Sequence, residues 1–177
     1  MHSLSKGYIQ VYTGNGKGKT TAAIGQAVRA AGFGLKTYLF QLMKDFNYNE
    51  LKSLNLLKDN ITVEQFGNDS FVFAKEPPSN QMVAKVKAGL NSAKQKMLSG
   101  KFDLIILDEI CVSIYFKLLT VREVIDFLNM KPEKVEIILT GRYCPKKIIE
   151  LADLVTEMKE VRHYYNRGVE ARKGIEA

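Results

Sequence analysis

Short apolar runs alternate along the chain with longer segments in which apolar residues recur every three or four positions. The runs are rich in β-branched residues, as are strands of a parallel sheet that is buried on both faces. The pattern predicts strands at residues 8–12, 37–41, 61–66, 104–107, 136–140 and 154–158. The clearest runs, 104–107 and 135–139, are almost continuously apolar.

Amphipathic segments between these strands have the signals of helix ends. Residues 20–31 are followed by glycines, which end helices readily. Residues 79–99 carry one apolar face at helical spacing, and residues 121–129 follow a capping box formed by Thr120 and Glu123. Strands that alternate with helices predict βαβ units and a three-layer α/β domain with a mostly parallel sheet.

Composition fits one globular domain over residues 1–177, with 46% hydrophobic and 25% charged residues. No apolar stretch reaches the length of a membrane helix, and the N-terminus lacks the apolar region of a secretory signal. Cys111 and Cys144 are far apart in sequence and neither belongs to a CxxC pair. We therefore expect a cytoplasmic protein with two reduced thiols and no membrane partner.

The chain is basic, with a net charge of +7. Such an excess raises the local concentration of anionic ligands. We find no long basic run, zinc-finger spacing or paired aromatic motif of an RNA-binding sheet. Anionic small molecules therefore explain the charge as well as nucleic acid would, and we expect no nucleic-acid partner.

A Gly-rich loop connects the first predicted strand directly to the first predicted helix. Strand, Gly-rich turn and helix are the context in which a P-loop is credible, because glycines let backbone N–H groups approach phosphate oxygens. Lys19 would place an ammonium on the phosphates, and the Thr20 hydroxyl suits Mg²⁺. Thr13 stands where the usual pattern has its first glycine. The residues predicted to bind ATP are Gly14, Asn15, Gly16, Lys17, Gly18, Lys19, Thr20 and Thr21.

A second motif places two carboxylates, Asp108 and Glu109, directly after the buried strand 104–107. The carboxyl ends of parallel strands form the edge at which α/β proteins bind ligands. In ATP sites such a carboxylate holds Mg²⁺ directly or through water. Because side chains alternate along a strand, we expect only one of the two to face the phosphates, and the sequence does not choose between them.

Together these motifs resemble the P-loop type of ATP:corrinoid adenosyltransferase, over roughly the whole chain from Tyr8 onward. The loop matches that family's modified P-loop, including its non-Gly first position. The other matching elements are Gln41 and Lys44 of a Q-x-x-K element, Leu107-Asp108-Glu109, Thr140-Gly141-Arg142, and a tail with Ala152-Asp153-Leu154-Val155-Thr156-Glu157-Met158, Arg162-His163, Gly168 and Ala171-Arg172-Lys173-Gly174-Ile175-Glu176.

The resemblance implies a RecA-like P-loop fold and a specific reaction. This family transfers the 5′-deoxyadenosyl group of ATP to the Co(I) centre of cob(I)alamin or another reduced corrinoid and releases triphosphate. By match, Lys19 and Thr20 would be the catalytic residues, with Lys19 and the loop amides stabilising charge on the leaving triphosphate. Thr20 and Glu109 would hold Mg²⁺, with Asp108 in its outer shell.

On the corrinoid side the resemblance points to Phe71 and Phe73, which stand where the family has an aromatic-x-Trp pair; their alternation also fits core packing. Arg142 would contact an anionic group. His163 would contact substrate or be a packed, hydrogen-bonded residue. Some members carry a basic N-terminal helix over the corrinoid; only residues 1–6 precede the first strand here, and we expect that cover to be absent or replaced.

Two other functions share the loop. A RecA-like ATPase would use Glu109 to activate water, and a small-molecule kinase would pass on the γ-phosphate. The short chain and the tail motif favour the transferase. By resemblance we also expect a homodimer, and an acidic flavoprotein reductant would suit the basic surface.

Overall fold

The computed structural model describes residues 3–44, 49–67 and 77–176. Within these ranges all strands pair in parallel. They are β1 (Ile9–Thr13), β2 (Thr37–Leu42), β3 (Ile61–Phe66), β4 (Leu104–Asp108), β5 (Glu136–Thr140) and β6 (Leu154–Glu157). One six-stranded sheet results, in the order β3-β2-β4-β5-β1-β6. Every predicted strand is confirmed, with ends that differ by at most one residue.

The helices are α1 (Lys19–Phe33), α2 (Asn49–Asn55), α3 (Asn80–Leu98), α4 (Ile110–Tyr115), α5 (Val121–Leu128) and α6 (Lys146–Ile149), with a 3₁₀ helix at Tyr164–Arg167. The three predicted helices are α1, α3 and α5. The capping box of Thr120 and Glu123 is formed. Helix α1 continues past Gly32 and ends at Gly34, whose φ of 91° is left-handed. Helices α2, α4 and α6 were missed because segments of 4–7 residues are too short to show helical periodicity.

Two apolar clusters lie on opposite faces of the sheet, so the predicted three-layer α/β architecture is confirmed. One cluster joins α1, through Ala23 and Ala27, to Leu39 of β2 and Ile106 of β4. The other joins α3 and α5 to the alternate residues of the same strands. Its larger members are Tyr38, Phe40, Leu42, Leu90, Met97, Ile105, Leu107 and Phe127. None of the helices in the described ranges is long and apolar enough to cross a membrane.

Polar side chains form a row across the carboxyl edge of the sheet. Gln41 on β2 is in register with Gln65 on β3 and with Asp108 on β4. The Gln65 amide donates to Gln41 Oε1 at 3.1 Å, and the Gln41 amide donates to Asp108 Oδ2 at 3.3 Å. Thr140, at the end of β5, completes the row by donating to Asp108 Oδ1 at 2.6 Å. The fold thus gathers hydrogen-bonding groups at the edge that the sequence predicts for ligand binding.

Candidate active site

A cavity of about 940 Å³ opens at this edge of the sheet. Residues 16–21 of the Gly-rich loop line it, together with Glu109, Arg142 and His163. These residues were predicted from separate motifs, and the fold brings them to one site. Gly14, Asn15 and Asp108 are not part of its lining.

Lys19 is held inside the loop. Its side chain is buried, and Nζ donates to the Gly16 carbonyl oxygen at 2.6 Å. Burial lowers the pKa of Lys19, and the positive charge of Arg142 acts in the same direction, whereas Glu109 and Asp108 raise it. An ammonium with so little hydration gains more from an anionic ligand than an exposed one would.

The loop glycines serve chain packing as well as ligand approach. A Cβ on Gly14 or Gly16 would lie 2.5 or 2.6 Å from the carbonyl oxygen of Met158, just beyond β6. The Gly16 N–H donates to that same oxygen at 2.6 Å. That N–H is therefore already hydrogen-bonded within the protein. The first-turn amides of α1, which follow Gly18, have no partner within the helix and remain suited to an anion.

Asp108 is fully buried and accepts four hydrogen bonds or ion pairs. Oδ1 accepts from the hydroxyls of Thr20 at 2.8 Å and Thr140 at 2.6 Å. Oδ2 accepts from the Gln41 amide at 3.3 Å and lies 3.0 Å from Lys44 Nζ. These contacts occupy the lone pairs of both oxygens, so Asp108 connects the site's elements from behind the cavity wall.

Glu109 faces the cavity although it directly follows Asp108. Its backbone is left-handed, with φ of 60°, and its N–H donates to Thr140 Oγ1 at 2.9 Å. Burial raises the pKa of Glu109, with a further rise from Asp108, while Lys44, Lys19 and Arg142 lower it. The alternation of side chains left open which carboxylate reaches the ligand side, and the cavity lining contains Glu109.

Left-handed non-glycine residues follow three of the strands at this edge. Met43 comes after β2 with φ of 57°, Glu109 after β4 with φ of 60°, and Tyr143 beyond the end of β5 with φ of 60°. All three line the cavity. Such a backbone is strained for residues with large side chains, and strain of this kind concentrates at functional sites. Sequence analysis did not identify Met43 or Tyr143, because nothing in a residue's type marks its backbone angle.

Arg142 and His163 both line the cavity but differ in exposure and hydrogen bonding. Arg142 is exposed in the turn between β5 and α6. His163 caps the 3₁₀ helix, because its Nδ1 accepts the Tyr165 N–H at 3.1 Å. The hydrogen-bonded role anticipated for His163 is therefore present, alongside a position in the cavity lining.

The C-terminal tail folds back on itself and adds Gly174, Ile175 and Glu176 to the lining. The Arg172 guanidinium pairs with Glu176 at 3.1 Å and lies 4.9 Å from the centre of the Tyr164 ring. The Tyr164 hydroxyl also donates to Glu176. These contacts join Tyr164, Arg172 and Glu176 to one another, so the tail motif has a folded structure of its own where it lines the cavity.

Two predicted residues, Phe71 and Phe73, lie outside the described residues. Within the described ranges, no group of three or more His, Cys, Asp or Glu side chains could hold a metal ion by itself.

Comparison with known proteins places these features in context. The model of the family described as ATP:corrinoid adenosyltransferase BtuR/CobO/CobP matches residues 5–177. The corrinoid adenosyltransferase of Escherichia coli strain K12 is 36% identical over 171 residues, which cover 97% of this chain and 86% of that protein. Corrinoid adenosyltransferase CobA of Salmonella typhimurium strain LT2 is 35% identical with the same coverage. The corrinoid adenosyltransferase of Pseudomonas aeruginosa is 30% identical, covering 97% of this chain and 84% of that protein.

Among solved structures, the chain is similar to the flagellar accessory protein FlaH from Methanocaldococcus jannaschii. The TM-score is 0.60 at 15% identity, over 87% of this chain and 72% of that one. At this identity the likeness concerns the fold, which agrees with the predicted RecA-like P-loop architecture.

Proposed function

The chain belongs to the ATP:corrinoid adenosyltransferase family, and from this premise we propose how its residues divide the work of adenosyl transfer. The enzyme transfers the 5′-deoxyadenosyl group of ATP to the cobalt of a reduced corrinoid and releases triphosphate. The observation that carries the proposed division is that the Gly-rich loop, Glu109, Arg142 and the tail line the same cavity.

The loop is proposed to hold ATP by its triphosphate. In the reaction Co(I) attacks C5′ of the ribose, a Co–C bond forms, the C5′–O bond breaks, and its electron pair leaves on the triphosphate. The protein has to align the two reactants and stabilise the charge that develops on the leaving group. Buried Lys19 and the first-turn amides of α1 supply that stabilisation.

Mg²⁺ is proposed to bind between Thr20 and Glu109. The available donors are a hydroxyl and a carboxylate, which are the oxygen ligands that Mg²⁺ prefers, and phosphate oxygens complete such sites. The Thr20 hydroxyl donates its proton to Asp108 at 2.8 Å, which leaves its oxygen lone pairs for the metal. Asp108, with its oxygens engaged by other donors, fits the outer shell. The ion would neutralise charge on the triphosphate.

The corrinoid is proposed to contact Arg142, His163, Phe71 and Phe73. Arg142 and His163 line the cavity, while Phe71 and Phe73 are proposed from the family resemblance alone. His163 Nδ1 is engaged as an acceptor, so Nε2 is the atom available to substrate. No acid–base role is needed, because attack of Co(I) on C5′ transfers no proton.

A cytoplasmic homodimer that receives electrons from an acidic flavoprotein completes the proposal. All four residues of the edge strand β6 are exposed, and Leu154 and Val155 offer apolar area there. The net charge of +7 favours an acidic electron carrier.

Product analysis tests the reaction. ATP and a chemically reduced corrinoid should yield adenosylated corrinoid and triphosphate in equal amounts. Orthophosphate formed without corrinoid would instead indicate an ATPase, and ADP with a phosphorylated acceptor would indicate a kinase.

A further inference from the structure

Two tyrosines stack on each other beside the cavity. Tyr115 is the last residue of α4, and Tyr143 lies in the turn between β5 and α6. Their ring centres are 4.2 Å apart and the planes are inclined by 25°, a stacked arrangement. Tyr143 lines the cavity, and so does Phe116, whose ring meets Tyr115 edge-on at 5.3 Å. We refer to Tyr115 and Tyr143 as the aromatic platform.

The aromatic platform contributes little to the core. Tyr115 is 56% exposed and Tyr143 is 52% exposed. Tyr143 also has a left-handed backbone, with φ of 60°, which is disfavoured for a residue with a bulky side chain. A pair of exposed rings, one of them on a strained backbone, adds little to the stability of the fold. Exposed apolar surface and backbone strain both concentrate at sites that bind ligands.

Close main-chain packing fixes the position of the platform. A Cβ on Gly141 would lie 3.0 Å from both Cys111 Cβ and the Val112 nitrogen, so the turn after β5 presses against the start of α4. These two segments carry the two tyrosines. The platform is therefore set in place before a ligand arrives, which lowers the entropic cost of binding.

We propose that the aromatic platform binds the flat macrocycle of the corrinoid substrate and that Tyr143 sets corrinoid affinity independently of ATP. This inference rests on the proposed function. The macrocycle offers a broad face edged with methyl groups, which suits aromatic rings. Val112 and Phe116 extend the apolar lining beside the platform, whereas the charged lining that suits a triphosphate comes from Lys19, Lys44, Glu109 and Arg142.

Size supports the same assignment. A cavity of about 940 Å³ is at the upper end for one small-molecule ligand. A corrinoid, which is bulkier than ATP, would have to remain partly outside once ATP is bound. The half-exposed rings of Tyr115 and Tyr143 could contact the part of the corrinoid that remains outside the cavity.

The positive φ of Tyr143 allows a sharp test. Tyr143→Gly removes the ring and introduces glycine, the residue that best tolerates a positive φ. The Tm should therefore stay within about 3 °C of wild type. Dissociation constants are measured by equilibrium dialysis for cob(II)alamin, for cobinamide, which lacks the lower nucleotide base, and for ATP. We expect the values for both corrinoids to rise about tenfold in Tyr143→Gly and in Tyr115→Ala. Tyr143→Phe should bind like wild type, and ATP affinity should not change.

Tyr8→Ala is the matched control, because Tyr8 is 45% exposed and is not part of the cavity lining. Unchanged corrinoid affinity in folded Tyr143→Gly overturns the inference. If Tyr143→Gly does not fold, the corrinoid affinity of Tyr115→Ala decides the question. A loss of ATP affinity assigns the rings to adenine, and a loss for cob(II)alamin alone assigns them to the nucleotide base; either result contradicts the proposal. Wild-type enzyme that forms no adenosylated corrinoid refutes the proposed function itself.

Discussion

The Thr20 hydroxyl donates a hydrogen bond to Asp108 Oδ1 at 2.8 Å, which joins the first turn of α1 to the end of β4. Through this contact the Gly-rich loop and the polar row across the sheet edge are connected by hydrogen bonds. The same hydroxyl oxygen is the proposed Mg²⁺ ligand, so the position of the metal depends on a carboxylate that need not touch it.

Amide substitutions should separate the roles of the two carboxylates. Glu109→Gln should raise the Mg²⁺ concentration needed for half-maximal activity while leaving thermal stability close to wild type. Asp108→Asn should instead lower the free energy of unfolding by about 3 kcal/mol, because an amide would replace a buried acceptor of several donors. Magnesium titrations and denaturant unfolding measure the two effects. A larger magnesium effect in folded Asp108→Asn would show that the direct ligand is Asp108.

Loss of the Lys19 ammonium should slow the reaction strongly. Lys19→Ala removes a buried positive charge from the leaving triphosphate, a loss of about 2–4 kcal/mol in transition-state stabilisation. Steady-state kcat/KM for ATP measures it, with Lys58→Ala as control, because Lys58 is exposed and is not part of the cavity lining. A decrease of less than about tenfold, or 1.4 kcal/mol, would mean that Lys19 does not hold the phosphates.

Two glycines should respond oppositely to alanine. Gly16→Ala would place a Cβ 2.6 Å from the Met158 carbonyl oxygen, so the loop must shift. We expect a loss of about 1–3 kcal/mol in stability together with weaker ATP binding. Gly25→Ala is the matched control, since Gly25 lies in α1 with open space around its position; it should gain about 0.5–1 kcal/mol. Thermal unfolding with and without ATP distinguishes them, and a neutral Gly16→Ala would contradict the packing argument.

Cys144 should react with alkylating reagents faster than an ordinary thiol at neutral pH. Interaction with the Cys111 thiol lowers the pKa of Cys144, against an opposing effect of burial. Contact with Cys144 and burial raise the pKa of Cys111. A lowered pKa means that thiolate is already present below the ordinary value near 8.5, so the midpoint of the rate–pH curve should lie below it.

Iodoacetamide labelling with mass spectrometry measures these rates. Cys111→Ala should move the midpoint of the Cys144 rate–pH curve back upward, because the interaction that lowers the pKa of Cys144 is lost. Equal labelling of both thiols in the folded protein would contradict the prediction.

The sequence predicted the sheet and the long helices because continuous apolar runs and helical periodicity are local signals. The loop, Glu109, Arg142 and His163 were likewise found from motifs, and the fold brings them to one cavity. The close approach of Gly16 to Met158 joins residues far apart in the chain, which no local pattern reveals. The backbone of Glu109 and the stacking of Tyr115 on Tyr143 depend on how the loops after β4 and β5 pack, so they too required the structure.

Strand β1 is the first in the chain, yet it lies between β5 and β6, the last two. During synthesis β1, which carries the Gly-rich loop, therefore has no neighbour to pair with until the residues of β5 (Glu136–Thr140) have been made. At cellular rates of translation that delay is on the order of 10 s. The loop itself is completed later still, when Met158 accepts the Gly16 N–H. We therefore expect the proposed nucleotide site to form only after residue 158 has been made, and long-range pairing of this kind predicts slow folding from the denatured state.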